Sequence, residues 1–134
     1  MLKIVGLVAL LTGAVLAAAS GHAQTTQPQT TQPAKVAETP KGKALVDQKG
    51  MTLYIFDRDA AGKSNCTGQC AQNWPPLAAP ANAQALGDWT AIARDDGSKQ
   101  WAYKGKPLYT WAKDAKPGDV TGDGVNNVWH IAQP

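Results

Sequence analysis

Tyr54-Ile55-Phe56-Asp57-Arg58-Asp59 and Tyr109-Thr110-Trp111-Ala112-Lys113-Asp114 carry one pattern: a Tyr, a second aromatic two residues on, and an Asp three further. They lie 55 residues apart, and the same offset places Gly50 on Gly105, Leu53 on Leu108 and Trp74 on Trp129 without a gap. Coincidence of uncommon residue types in a single register marks an internal duplication. Two copies fall short of a solenoid array, so one small domain built from two pseudo-repeats is expected.

Each copy reads as a β-hairpin. A strand, Ala44 to Asp47 or Gln100 to Tyr103, turns through Lys49-Gly50 or Lys104-Gly105 and returns as Leu53 to Phe56 or Leu108 to Trp111. Period-two alternation on the return strand puts Tyr54 with Phe56, and Tyr109 with Trp111, on one aromatic face, while Leu53 and Leu108 point the other way. Asp59 and Asp114 fall just past the strand ends, where a carboxylate commonly accepts backbone N–H bonds and closes the following turn. Between the copies, Trp89 to Ala93 is β-rich, and Asp95-Asp96-Gly97 reads as the turn of another hairpin. Pro75 to Ala85, rich in Pro and Ala, reads as an irregular connection. The expected class is mostly β, with a short helical turn near Cys66 and Cys70. The duplicated domain spans 42–134, with repeat 1 at about 44–77 and repeat 2 at about 99–132.

The doubled motif resembles that of a bacterial family of secreted repeat proteins of unknown function, often lipoproteins, described by a Tyr-x-(Phe/Trp/Tyr)-x-x-Asp motif. Tyr54, Phe56 and Asp59 match it, as do Tyr109, Trp111 and Asp114, and Cys66-Thr67-Gly68-Gln69-Cys70 followed by Trp74-Pro75-Pro76 is similar to a run found there. The resemblance spans Lys41 to the C-terminus and implies export without implying an activity. No Cys stands near the cleavage region to carry the lipid of the lipoprotein members.

The N-terminal third differs in composition. Met1 to Ala23 has the three parts of a secretory signal: Lys3, an apolar run from Ile4 to Ala19, and small residues at Gly21 and Ala23. The run is shorter than the roughly 20 residues of a spanning helix, so cleavage after Ala23 is expected rather than anchoring. From 24 to 41 the chain is rich in Thr, Gln and Pro, a composition that buries too little to offset its ordering entropy, and a disordered arm is expected there. Export places the protein in the periplasm or outside the cell.

A formal net charge of +3, with basic residues dispersed among acids as in Arg94-Asp95-Asp96, gives no footprint for nucleic acid. Five Trp against one Phe suit a compact aromatic core. An exposed Trp89 or Trp101 would be free to stack on a sugar or peptide.

Two Cys four positions apart in an exported chain form a disulfide by default. On a helical turn their Cα atoms come to about 6 Å, within disulfide range. Cys66 and Cys70 align with Thr121 and Val125, so the second copy builds the same loop without cysteine and the bridge reads as a local staple. The alternative is a soft-donor site for copper formed by Cys66, Cys70 and His130. Asp119-Val120-Thr121-Gly122-Asp123-Gly124 opens like a calcium loop, but His130 stands where the bidentate acid belongs, so a Gly-rich turn is the better reading. Ser64 and Ser98 lack a nucleophile-elbow context, and no catalytic residue is nominated. The chain is therefore expected to be a monomeric, cofactor-free, non-catalytic binding or cell-envelope module, with a copper or other redox-metal protein as the rival.

Overall fold

The computed structural model describes residues 32–134. The expected signal peptide and residues 24–31 of the expected arm lie outside the described residues. The fold is mostly β. Strands β1 (Lys35–Thr39) and β2 (Gly42–Val46) form an antiparallel hairpin. Next come β3 (Tyr54–Phe56), the helix α1 (Gln69–Asn73) and β4 (Ala78–Ala79). β5 (Trp89–Ala93), β6 (Lys99–Tyr103) and β7 (Lys106–Pro107) follow, then a 3-10 turn (Val125–Asn127) and β8 (Trp129–Ile131). Among the described residues no helix is long and apolar enough to cross a membrane.

Lys35 to Thr39, expected in the arm, is strand β1, and its counterpart 55 residues on is β5, expected to lie between the copies. Each repeat thus begins one strand earlier than its aromatic motif suggests. The reason is local. Lys-Val-Ala-Glu-Thr has little apolar content and pairs through its backbone with the buried Ala44, Leu45 and Val46 of β2. Its neighbours dictate its structure more than its own composition does.

The two copies exchange their last segments. β3 of the first copy pairs with β8 of the second, Tyr54 opposite Ile131 and Phe56 opposite Trp129. The converse contact sets Tyr109 against Pro76. There Pro75 and Pro76 have no N–H to give, so Leu108 to Trp111 does not become the regular strand expected of it. It is held instead by Thr110 N–H to Pro75 O at 2.9 Å and Ala112 N–H to Asn73 O at 2.9 Å. At the centre the two motif tyrosines face each other, Tyr54 N–H to Tyr109 O at 2.8 Å and Tyr109 N–H to Tyr54 O at 3.0 Å. Ala132 bonds both Leu45 and Leu53, and Leu77 both Trp101 and Leu108, while Leu53 N–H to Leu45 O at 2.9 Å and Leu108 N–H to Trp101 O at 3.1 Å hold each hairpin itself, so the last segment of each copy joins the other's hairpin.

Two cores result, one on each face of the central strands, as the period-two alternation requires. One joins Leu45, Leu53, Leu108, Trp89 and Trp101. The other joins Tyr54, Trp74, Tyr109, Trp129 and Ile131 with Cys66. Trp89 is 3% and Trp101 8% exposed, which corrects the expectation that one of them is free to stack on a ligand. In the β5–β6 register Trp89 faces Tyr103 and Ala91 faces Trp101, so all four share the side turned onto the leucines.

Candidate functional site

The motif residues converge at the exchange point. The Tyr54 hydroxyl donates to Asp114 Oδ2 at 2.6 Å, and the Tyr109 hydroxyl donates to Asp59 Oδ2 at 2.7 Å. Each tyrosine therefore bonds the aspartate of the other copy. The second carboxylate oxygen closes its own loop, as expected. Asp59 Oδ1 accepts Asn65 N–H at 2.6 Å, and Asp114 Oδ1 accepts Thr121 N–H at 3.0 Å and the Thr121 hydroxyl. A local turn role was readable from the position of each Asp; the crossing between copies was missed, because an offset alignment reports equivalence and not contact.

Both phenols are fully buried. Burial, with a carboxylate alongside, pushes both far above the ordinary tyrosine range, so they stay protonated. Burial also raises the Asp59 carboxyl, against the opposing pull of the Asn65 N–H, the Tyr109 hydroxyl and Arg94. Each phenol oxygen has a second neighbour. For Tyr54 it is Gly122 N–H at 3.3 Å, and for Tyr109 it is the Ser64 hydroxyl at 2.6 Å. Ser64 and Gln100 Oε1 in turn accept from Arg94 Nη1 at 2.9 and 2.6 Å, and Cys66 O accepts from Arg94 Nη2 at 2.7 Å. Gly122 is required by space: a Cβ there would stand 2.9 Å from the rings of both Trp74 and Tyr54.

Beside the tyrosines runs a column of four stacked rings in the order Trp111, Trp74, Trp129, Phe56. Successive centroids lie 3.9, 3.7 and 4.2 Å apart, and the central indoles are within 3° of parallel. Tyr54 meets Trp74 edge-on at 5.4 Å, and Tyr109 meets Trp129 edge-on at 5.1 Å. Trp74 and Trp129 are buried, while Trp111 and Phe56 at the ends are half-buried. The aromatic faces inferred from strand alternation are thus one shared core.

Cys66 and Cys70 form a disulfide with Cα atoms 5.2 Å apart, and the helical turn begins at Gln69 beside it. His130 Nε2 lies 2.7 Å from Asp57 Oδ2 on the exposed side of the β3–β8 pair. The structure does not bring His130 together with the two sulfurs, and among the described residues no three His, Cys, Asp or Glu side chains form a metal-binding group. The carboxylates of the Asp119 loop are engaged elsewhere. Asp119 Oδ2 accepts Ala115 N–H at 2.8 Å and Lys116 N–H at 3.1 Å, and Asp123 Oδ1 accepts Ile131 N–H at 3.0 Å. These bonds close the Gly-rich loop on itself and tie it to β8.

A cleft of about 290 Å³ opens where the turn after the first motif meets the second copy's hairpin. Phe56, Asp59, Ala60, Lys104 and Pro107 are among the residues lining it. Gly62 N–H bonds Gly105 O at 2.8 Å and ties the two loops together.

No curated protein and no solved structure matches the chain. A family model described as a secreted repeat of unknown function matches it twice, over residues 35–78 and 90–133. Those limits coincide with the two units defined by β1 and β5, and the chain belongs to this family of secreted repeat proteins.

Proposed function

We propose that the protein acts in the periplasm or outside the cell as a non-catalytic binding or envelope-associated module, with its ligand in the cleft beside Phe56. The observation that carries this reading is the engagement of the motif side chains with one another. Tyr54, Tyr109 and Asp114 are buried and bond across the copies with Asp59, whose two carboxylate oxygens are both engaged at the cleft wall, so the motif side chains hold one another rather than a substrate. The cleft beside them is a concave surface that presents an aromatic edge with Lys104 and Lys106 at its rim. Concavity with an apolar wall and a few polar groups is the usual form of a binding site. Asp57 and Asp59 line it together with the two lysines, a mixed charge that suits an envelope component bearing both acidic and basic groups, with its anionic groups at the lysines.

The test is co-sedimentation of the purified, oxidised protein with isolated peptidoglycan and, separately, with vesicles of anionic phospholipid. A Lys104→Glu/Lys106→Glu variant is run beside it. Retention of the native protein by either surface, lost in the variant, is the expected result. Equal behaviour of the two proteins would remove the cleft from the account. Anaerobic copper titration of the same samples decides the rival reading: stoichiometric uptake abolished in Cys66→Ser and His130→Ala would replace the binding module with a metal carrier.

A further inference from the structure

The four-ring column brings aromatic faces into unusually close and continuous contact. Their quadrupoles favour offset or edge-to-face pairs at about 4.5–7 Å over face-to-face stacking. Trp74 and Trp129 lie 3.7 Å apart at 3°, closer than that range. Such close stacking suits a ring that has lost an electron, because the positive charge can spread over both indoles. Each central indole has at its edge a tyrosine whose hydroxyl proton already points at a carboxylate oxygen. A phenol becomes a strong acid when oxidised, so a hydrogen-bonded base removes the main obstacle to its oxidation.

From these two arrangements together we infer that the column is a one-electron relay, with Trp111 as its entry, Trp74 and Trp129 as its carriers, and the Tyr54–Asp114 and Tyr109–Asp59 pairs as its terminal traps. The partner is a one-electron oxidant strong enough to oxidise indole. It takes an electron from Trp111 and is itself reduced, leaving an indole radical cation. The hole passes to Trp74 and Trp129. An electron from Tyr54 or Tyr109 then refills the indole while the phenolic proton moves to Asp114 or Asp59. The sum is oxidant plus phenol plus carboxylate giving reduced oxidant, tyrosyl radical and carboxylic acid, with charge and protons balanced.

The asymmetry of the column sets the direction. Trp111 is half-buried and reachable, whereas the other end is closed by Phe56, a ring much harder to oxidise. The Lys113 ammonium stands 5.7 Å from the Trp111 centroid, which disfavours positive charge at the entry ring and drives it inward. The donors left on the phenol oxygens, Gly122 N–H at Tyr54 and the Ser64 hydroxyl at Tyr109, remain to hold the radical oxygen. Burial raises the Asp59 carboxyl, which strengthens it as a proton acceptor for Tyr109. This activity is independent of any ligand in the cleft.

The experiment is flash photolysis of the full, disulfide-bonded protein with a ruthenium polypyridyl photo-oxidant and a sacrificial electron acceptor, following indole and tyrosyl radicals by their absorption. The native protein is expected to form indole radical that decays into tyrosyl radical, more slowly in heavy water. The tyrosyl signal is retained in Tyr103→Phe, which removes the tyrosine outside the relay, and lost in Tyr54→Phe/Tyr109→Phe. Tyrosyl radical that survives in the double variant, or that vanishes in Tyr103→Phe, overturns the proposal. Should the double variant not fold, Tyr103→Phe decides alone. Tyrosyl formation slowed by heavy water supports the relay, and indole radical that decays without tyrosyl, or with no isotope effect, refutes it.

Discussion

Tyr54→Phe removes one hydroxyl from the centre of the molecule and leaves the ring in place. Asp114 keeps Thr121 N–H and the Thr121 hydroxyl but loses the Tyr54 donor at 2.6 Å. A hydrogen bond to a charged acceptor contributes about 1.5–3 kcal/mol, so a loss of about 2 kcal/mol is expected. In a domain of this size that lowers Tm by about 8–16 °C. The same loss is expected for Tyr109→Phe, whose hydroxyl meets Asp59 Oδ2 at 2.7 Å. The decisive assay is a pair of double-mutant cycles by urea unfolding. Tyr54→Phe combined with Asp114→Asn should show a coupling of about 1.5–3 kcal/mol, and Tyr54→Phe combined with Asp59→Asn less than about 0.5 kcal/mol. Coupling of Tyr54 to Asp59, the aspartate of its own copy, with none to Asp114 would refute the crossed arrangement.

Other substitutions probe the parts around this centre. Gly122→Ala pushes a methyl into Trp74 and Tyr54 at 2.9 Å and should destabilise by about 1–3 kcal/mol in chemical denaturation, the range for overpacking. Cys66→Ser/Cys70→Ser should fold with its far-ultraviolet spectrum intact and lose about 2 kcal/mol, the chain-entropy value for so short a loop. The raised carboxyl of Asp59 means that the folded state binds its proton more tightly than the unfolded chain. Its contribution to stability therefore falls as pH rises from the ordinary Asp value of 3.8 through the raised one, and Asp59→Asn should remove that slope from the unfolding free energy. Tyr54 and Tyr109 also hold their protons more tightly when folded. In a Tyr103→Phe background their phenolate absorbance should appear only together with alkaline unfolding above the ordinary value of 10, and phenolate forming in a still-folded protein would contradict their burial.

The duplication, the two faces of the central strands and the disulfide were legible in the sequence because each leaves a local signal. Repeated rare residues share one offset, alternation has period two, and a four-residue Cys spacing in an exported chain points to a bridge. Strand β1 was not, since Lys-Val-Ala-Glu-Thr carries little apolar content and acquires its conformation from β2. Nor was the exchange of last segments. Trp74-Pro75-Pro76 and Trp129-His130-Ile131 align in sequence, but nothing in an alignment says that each lies against the other copy's strand. Trp89 and Trp101 misled for a related reason: their shared face is evident only once β5 and β6 are in register. The crossed Tyr–Asp bonds follow from the exchange and became visible only with it.

The reciprocal pairing is tested most directly by proton NMR of the tyrosine hydroxyls. Phenolic protons buried against carboxylates exchange slowly with solvent and resonate downfield, so two such signals are expected, one each from Tyr54 and Tyr109. Asp114→Asn should shift the Tyr54 signal and leave that of Tyr109 in place, and Asp59→Asn should do the reverse. Absence of both signals from the folded protein, or a response of each tyrosine to the aspartate of its own copy, would contradict the account.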